Sequence, residues 1–150
     1  MHYQNILPMD YKEFNYEPTE FSRSILAGLF AGIAATVISL IYNALVRRVT
    51  DFPLSELINV STIIFILILF VTIAGVVFYL FHHYLKKGTG LFQVAAIVVT
   101  VLLISGAMQI QRSPDQVLSK EFRELLSGII GITGLCTIFI IPFLFKHDYV

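Results

Sequence analysis

Four long runs without a charged residue constrain this sequence more than any other feature. The uncharged runs cover residues 24–46, 57–81, 88–111 and 125–145. A hydrocarbon core about 30 Å thick is crossed by roughly 20 apolar residues in a helix. Each run is long enough to cross, and we predict membrane spans at about 24–46, 57–81, 90–111 and 123–145.

Helices are the expected conformation because lipid offers no hydrogen-bond partner to a free backbone amide. A membrane β-barrel would show short alternating segments, and these runs do not alternate. We therefore predict an all-α, polytopic membrane protein with a four-helix up-down bundle. It comprises a polar, aromatic-rich N-terminal segment at 1–21 and a transmembrane domain at 22–150.

Composition agrees with a lipid-exposed exterior. Apolar residues make up 57% of the chain and charged residues 13%, against roughly 25% charged in soluble domains. A soluble chain this short could not keep that much hydrocarbon away from water. The formal net charge is zero, so no electrostatic feature favours nucleic acid as a partner.

Helix boundaries are indicated by capping and turn residues. Thr19 is a candidate cap of the first helix, and Pro53–Ser55 marks the start of the second. Gly88–Gly90 is predicted to link the second and third spans. The sequence at 113–116, Ser-Pro-Asp-Gln, predicts a capped start of the fourth helix before the membrane. Pro142 is expected to kink or end that helix.

Orientation is nearly undetermined by charge. The side with both termini and the middle loop would carry Lys12, Arg23, Lys86, Lys87 and Lys146. The other side would carry the same number, namely Arg47, Arg48, Arg112, Lys120 and Arg123. The positive-inside rule therefore gives a tie of five to five. All four histidines fall on the terminal side, which favours cytoplasmic termini in a plasma or inner membrane, while insertion in both orientations is the alternative.

Small residues predict close helix packing in the first and fourth spans. Small side chains let two helix backbones approach each other within lipid. The candidate packing residues are Gly28, Ala31, Gly32 and Ala35 in the first span and Ser127, Gly128, Gly131 and Gly134 in the fourth. We expect these faces to meet each other inside the bundle, or to meet a second copy of the chain.

No ionisable group lies inside the four uncharged runs, which argues against an ion-coupled pump. The remaining polar residues allow one functional interpretation, a solute pathway lined by Asn43, Gln93, Thr100 and Gln109. The structural alternative is that such groups bond across helices or to their own backbone.

A basic aromatic segment ends the second span. It contains His82, His83, Tyr84, Lys86 and Lys87, and we interpret it as an anchor at the lipid interface. A haem or metal site is the alternative, but adjacent histidines point about 100° apart on a helix and chelate one ion poorly. We expect no cofactor and no metal.

We expect a non-catalytic accessory or assembly subunit of a larger membrane complex, or a homo-oligomeric scaffold. The predicted partners are membrane lipid together with other membrane subunits or further copies of the chain. A small transporter or channel built by oligomerisation is the alternative. An enzyme is not expected, because the spans lack reactive groups.

Overall fold

The computed structural model describes residues 19–50, 59–110 and 116–146, which form four helices. These are α1 (Glu20–Thr50), α2 (Val60–Tyr84), α3 (Gly88–Met108) and α4 (Gln116–Lys146). All four are long and apolar enough to cross a membrane, and the described residues contain no strand. The predicted all-α membrane bundle is confirmed.

The helix starts agree only partly with the predicted boundaries. Thr19 caps α1 as predicted, because its hydroxyl accepts a hydrogen bond from the Ser22 amide at 3.2 Å. The carboxamide oxygen of Asn59 caps α2 by accepting from the Thr62 amide at 2.8 Å, and this cap was not predicted. The predicted signals at 53–55 and 113–115 lie outside the described residues.

Gly88–Gly90 is not the link between α2 and α3, so that prediction is wrong. The link is Leu85–Lys87, and α3 already begins at Gly88. The Gly88 amide donates to the Leu85 carbonyl at 2.9 Å, which closes the turn. A side chain at Gly88 would collide with the Phe81 carbonyl, so glycine serves here in a close backbone approach.

The helices run up, down, up and down. We call one end of the bundle the His82 end, where α1 and α3 begin and α2 and α4 finish; the other is the Asn59 end. α1 packs chiefly on α2 and α4, and α3 packs chiefly on α4 and less on α2. Within the described residues α1 and α3 do not contact each other, so they occupy diagonal positions.

Two hydrophobic clusters hold the bundle together. At the Asn59 end, α2 and α4 contribute the buried residues Ile63, Leu67, Phe122, Leu125 and Ile129. Nearer the His82 end, all four helices contribute Ala27, Ala31, Val71, Phe78, Phe92 and Ile141. The bulky residues from Ile63 to Val71 of α2 are therefore divided between a core face and an exposed face.

The glycines of α1 pack against α2, not against α4 as we expected. A Cβ atom added at Gly28 would lie 3.0 Å from the Gly75 Cα, and one added at Gly32 would lie 3.2 Å from the Ile68 Cα. Ala31 and Ala35 are fully buried beside them. The reason is that α2 offers its own glycine, Gly75, at the crossing point.

The small face of α4 is used at two positions along its length. The Tyr42 ring of α1 occupies the space beside Gly128, and the Thr100 side chain of α3 occupies the space beside Gly134. No atom of a neighbouring helix lies within 4 Å of a Cβ built on Gly131. Ser127 is half-buried. The small residues thus admit one large and one branched side chain from two different helices.

Candidate functional site

Hydroxyl groups inside the bundle are mostly consumed by their own helices. Thr36, Thr72, Thr100, Thr133 and Thr137 each donate to the carbonyl four residues earlier, at 2.6–2.8 Å. The hydroxyls of Ser39 and Ser127 are buried without a hydrogen-bond partner among the described residues. Each of the five threonine hydroxyls is therefore satisfied within its own helix.

The structure does not bring together the four residues of the predicted solute pathway. Asn43 is buried in α1, where its side-chain oxygen accepts from Arg47 Nε at 2.8 Å. Gln109 follows the last residue of α3 and is exposed at the Asn59 end. Gln93 lies toward the opposite end of α3, and Thr100 bonds within its own helix. Asn43 lies on α1 and the other three residues lie on or directly after α3, and these two helices do not contact each other within the described residues, so the four residues do not face one another.

Gln93 has a specific partner created by Pro142. Pro142 lies inside α4, which continues to Lys146, so the proline does not end the helix. Proline lacks an amide proton, and this leaves the Ile138 carbonyl without its helical donor. Gln93 Nε2 donates to that carbonyl at 3.3 Å. A polar side chain of α3 therefore satisfies the backbone group that the proline of α4 leaves free.

The two adjacent histidines point to different neighbours. The His82 ring packs edge-on against Phe145 of α4 at 4.8 Å, and its Nδ1 lies 3.4 Å from Thr89 Oγ1. The His83 ring stacks on Tyr79, and its Nδ1 lies 3.7 Å from the Glu20 carboxylate of α1. This divergence follows from the 100° helical step. Tyr84, Lys86 and Lys87 are exposed beside them.

A cavity of about 700 Å³ opens at the His82 end between α3 and α4. Arg23 forms part of its wall, donating to the Phe145 carbonyl at 3.0 Å and lying over the Phe145 ring at 5.3 Å. This contact ties α1 to the last turn of α4, where a cation favourably meets the free carbonyls of the helix end. The Lys146, His82 and Gln93 side chains also line this cavity.

A second cavity, which we call the α2–α3–α4 groove, has a volume of about 430 Å³. It is lined almost entirely by hydrocarbon, and representative residues are Phe70 and Ala74 of α2, Ala95 and Val99 of α3, and Thr133 and Gly134 of α4. The Thr133 hydroxyl is already bonded within α4. The groove therefore presents an apolar surface at membrane depth.

α3 is the helix least covered by the rest of the bundle. Only 11% of its most apolar 18-residue window is buried, compared with 44% in α1 and in α4. Its outer face carries Ile97, Val98, Val101 and Leu102, all exposed. This face must contact lipid or another membrane protein.

Three residues that complete helix contacts were not predicted from the sequence. Gly75, Tyr42 and Ile138 each complete a contact whose other member had been identified. The pair Ala74–Gly75, the smallest residues in a bulky α2, was the available signal for the first. No sequence signal was available for Tyr42 or for the Ile138 carbonyl, because the contact of each depends on a residue of a distant helix.

Among the described residues, no three histidine, cysteine, aspartate or glutamate side chains come together as a candidate metal site. The one cysteine, Cys136, is buried in α4. The described part offers an apolar surface in the groove and polar or cationic side chains at the helix ends. Comparison with models of known protein families, with curated proteins and with solved structures finds no match to this chain.

Proposed function

We propose that this protein is a non-catalytic accessory or assembly subunit of a larger membrane complex. The observation that carries this proposal is the low burial of α3, whose apolar window is only 11% covered by its own bundle. A helix attached along one side only presents a long, uninterrupted face to a partner within the membrane.

The polar side chains of the spans support a structural role. Most of their hydroxyl and amide groups are hydrogen-bonded to the backbone or to neighbouring groups, as Thr100 and Gln93 illustrate. Catalysis or coupled transport calls for reactive or ionisable groups at membrane depth, where they are costly and therefore functional. The described spans offer a rigid scaffold instead.

The partner surface of this proposal is the outer face of α3, centred on Val98 and Val101. Three of its four residues, Ile97, Val98 and Val101, are β-branched and lose little conformational freedom on packing. Helix association in lipid depends on shape and van der Waals contact rather than on a hydrophobic force. A second membrane helix of complementary shape fits this requirement.

The test compares two tryptophan substitutions at the same depth, Val101→Trp on α3 and Val37→Trp on α1. The two valines are 56% and 52% exposed. Thr100 of α3 lies beside Gly134 of α4, and Tyr42 of α1 lies beside Gly128 of α4. Because α1 and α3 both run antiparallel to α4, these contacts place Val101 and Val37 level with the same turn of α4. After mild detergent extraction, the amount of any stoichiometric partner that co-purifies with V101W should be at least ten-fold lower than with the wild-type protein. V37W should co-purify with the wild-type amount.

Three outcomes would contradict or redirect the proposal. If both variants retain the partner, α3 is not the docking face. If the wild-type protein purifies as a homogeneous oligomer alone, the homo-oligomeric scaffold replaces the accessory subunit. Solute flux through liposomes that contain only this oligomer would favour the alternative function, a small transporter or channel.

We further propose a plasma or inner membrane location with both termini in the cytoplasm. The anionic lipids of a cytoplasmic leaflet attract basic residues close to the membrane. Lys86 and Lys87 lie in the short turn at the His82 end, next to His82 and His83. The overall count of lysine and arginine residues does not decide the orientation, but this cluster of basic residues supports a cytoplasmic position for the His82 end.

A further inference from the structure

The α2–α3–α4 groove and the lysine turn above it belong to one site. We propose that they bind an anionic phospholipid, with one acyl chain in the groove and the phosphate near Lys86 and Lys87. This inference does not depend on the assembly role, since it concerns the side of α3 that faces the bundle rather than its outer face.

The groove has the length and the lining of a site for a hydrocarbon chain. Along α3 the lining runs from Phe92 to Leu103, which is about 16 Å at the helical rise per residue. Its volume is about 430 Å³, and almost all of its lining is hydrocarbon from α2, α3 and α4. An acyl chain that lies along α3 would contact all three helices.

The depth of the groove also suits a lipid tail. Its upper end at Phe92 lies about 8 Å below Lys87, counted along α3. Its length of about 16 Å equals roughly half of the hydrocarbon core, which is one leaflet. The groove is apolar and opens to the outside of the bundle, so membrane hydrocarbon has access to it and water is disfavoured there. The surrounding hydrocarbon is the natural occupant.

Charge at the groove's upper end selects the headgroup. Lys86 and Lys87 are exposed in the turn that joins α2 to α3. No acidic residue occurs between Val60 and Ile110, so α2, α3 and the turn between them supply no carboxylate that would repel a phosphate. Glu121 and Glu124 of α4 lie at the opposite, Asn59 end, and Glu20 of α1 faces His83. Lysine stems extend along apolar surface while their ammonium groups reach the lipid phosphates. Tyr84, exposed in the same turn region, suits the interface.

The same chemistry could come from a free phosphate, and the two sources differ in what they do to the groove. A lipid places a tail beside Phe70, whereas a free anion leaves the groove unchanged. The chain contains no tryptophan, so one introduced tryptophan is a unique fluorescent reporter. Bromine atoms on an acyl chain quench tryptophan only on close approach, which makes brominated lipid a direct probe of tail occupancy.

The experiment uses the full chain in vesicles of zwitterionic lipid, with Phe70→Trp as the groove reporter and Phe30→Trp as the matched control. Both phenylalanines are about half exposed, at 47% and 51%. Packing of Gly28 against Gly75 and of Gly32 against Ile68 puts Phe30 of α1 at the depth of Phe70. Phe30 differs only in lying on a face without the groove.

We expect brominated phosphatidylglycerol at a few mole per cent to quench F70W several-fold more than brominated phosphatidylcholine does. F30W should be quenched equally by both lipids. Replacing the turn lysines with K86Q/K87Q should remove the difference at F70W, whereas K146Q, which deletes a charge at the same end, should preserve it. Soluble glycerol phosphate should have no effect.

Several results would overturn the proposal. Equal quenching of F70W by the two lipids removes the anionic selectivity. Quenching of F70W no stronger than that of F30W means that no tail enters the groove. Loss of the difference on adding glycerol phosphate identifies a free anion as the ligand, and an unchanged difference in K86Q/K87Q removes the lysines from the site.

Discussion

Pro142 removes one amide proton from the interior of a membrane span, and Gln93 of another helix compensates. In water the freed Ile138 carbonyl would bond to solvent, but hydrocarbon offers it no partner. The bond from Gln93 Nε2, at 3.3 Å, is therefore a structural requirement created by the proline. Gln93, which the sequence suggested as part of a solute pathway, therefore forms a hydrogen bond that links α3 to α4. We call this bond the cross-helix brace.

Gln93→Leu should destabilise the protein by about 1 kcal/mol, since it leaves the Ile138 carbonyl unsatisfied. In the Pro142→Ala background an alanine amide can bond that carbonyl, so the same substitution should cost close to nothing. The free energy of unfolding, measured by SDS titration in mixed micelles for all four proteins of this double-mutant cycle, tests the coupling. Equal costs in both backgrounds would show that the brace is unrelated to the proline.

At the scale of helices, the main contact of α1 is a glycine-to-glycine crossing with α2. Gly28 and Gly75 approach so closely that a Cβ on Gly75 would lie 2.5 Å from the Ser24 carbonyl oxygen. Close approach of backbones increases van der Waals contact, which is the principal source of helix association within lipid. α3 makes no comparable crossing, and this explains why it is the least buried helix.

Gly75→Ala should separate α1 from α2 and lower the free energy of unfolding by about 1–3 kcal/mol, the usual cost of overpacking. Gly106→Ala on α3 is the control, because no atom of another described helix lies within 4 Å of the added Cβ. That change should be neutral or stabilise by up to about 1 kcal/mol through helix propensity. Both are measurable in the same SDS titration; a harmless Gly75→Ala would contradict the tight crossing.

For the molecule as a whole, the exterior is predominantly hydrocarbon. Long rows of large apolar side chains stay exposed on the outside of all four helices, with Phe65, Leu102 and Phe139 each more than 60% exposed. Soluble monomers rarely expose contiguous apolar patches above a few hundred Å². The bundle therefore has lipid as its solvent, and its charged residues gather at the two ends.

The protein should remain in the membrane pellet after an alkaline carbonate wash and enter solution only with detergent. The physical reason is that each exposed span would bring its apolar surface into water, at about 25 cal/mol per Å². Immunoblotting of pellet and supernatant measures the partition. A monodisperse particle in the detergent-free supernatant would be incompatible with a membrane bundle.

Cysteine labelling should distinguish the two ends of the bundle. In a Cys136→Ala background, Lys86→Cys reports the His82 end and Lys120→Cys reports the Asn59 end, and both lysines are exposed. With cytoplasmic termini, a membrane-impermeant maleimide should label K120C in intact cells and K86C only after lysis. The reverse pattern would invert the orientation, and labelling of both in intact cells would indicate insertion in both directions.

The sequence by itself determined the solvent of this chain, the number of its helices and their approximate limits. Transfer of apolar residues into hydrocarbon accumulates along a local run, so a window of about 20 residues suffices to predict a span. The Thr19 cap was predictable for the same reason, since it depends only on residues within one helical turn.

Only the tertiary structure decided which helices meet and what the polar residues do. Small faces such as Gly28–Gly32 fit more than one partner, and the choice of α2 over α4 depended on one distant glycine, Gly75. Gln93 gained its role from a proline on another helix, and the groove arose because α3 packs on α4 more closely than on α2. Contacts of this kind depend on the matching of two remote surfaces, and no local pattern in the chain encodes that match.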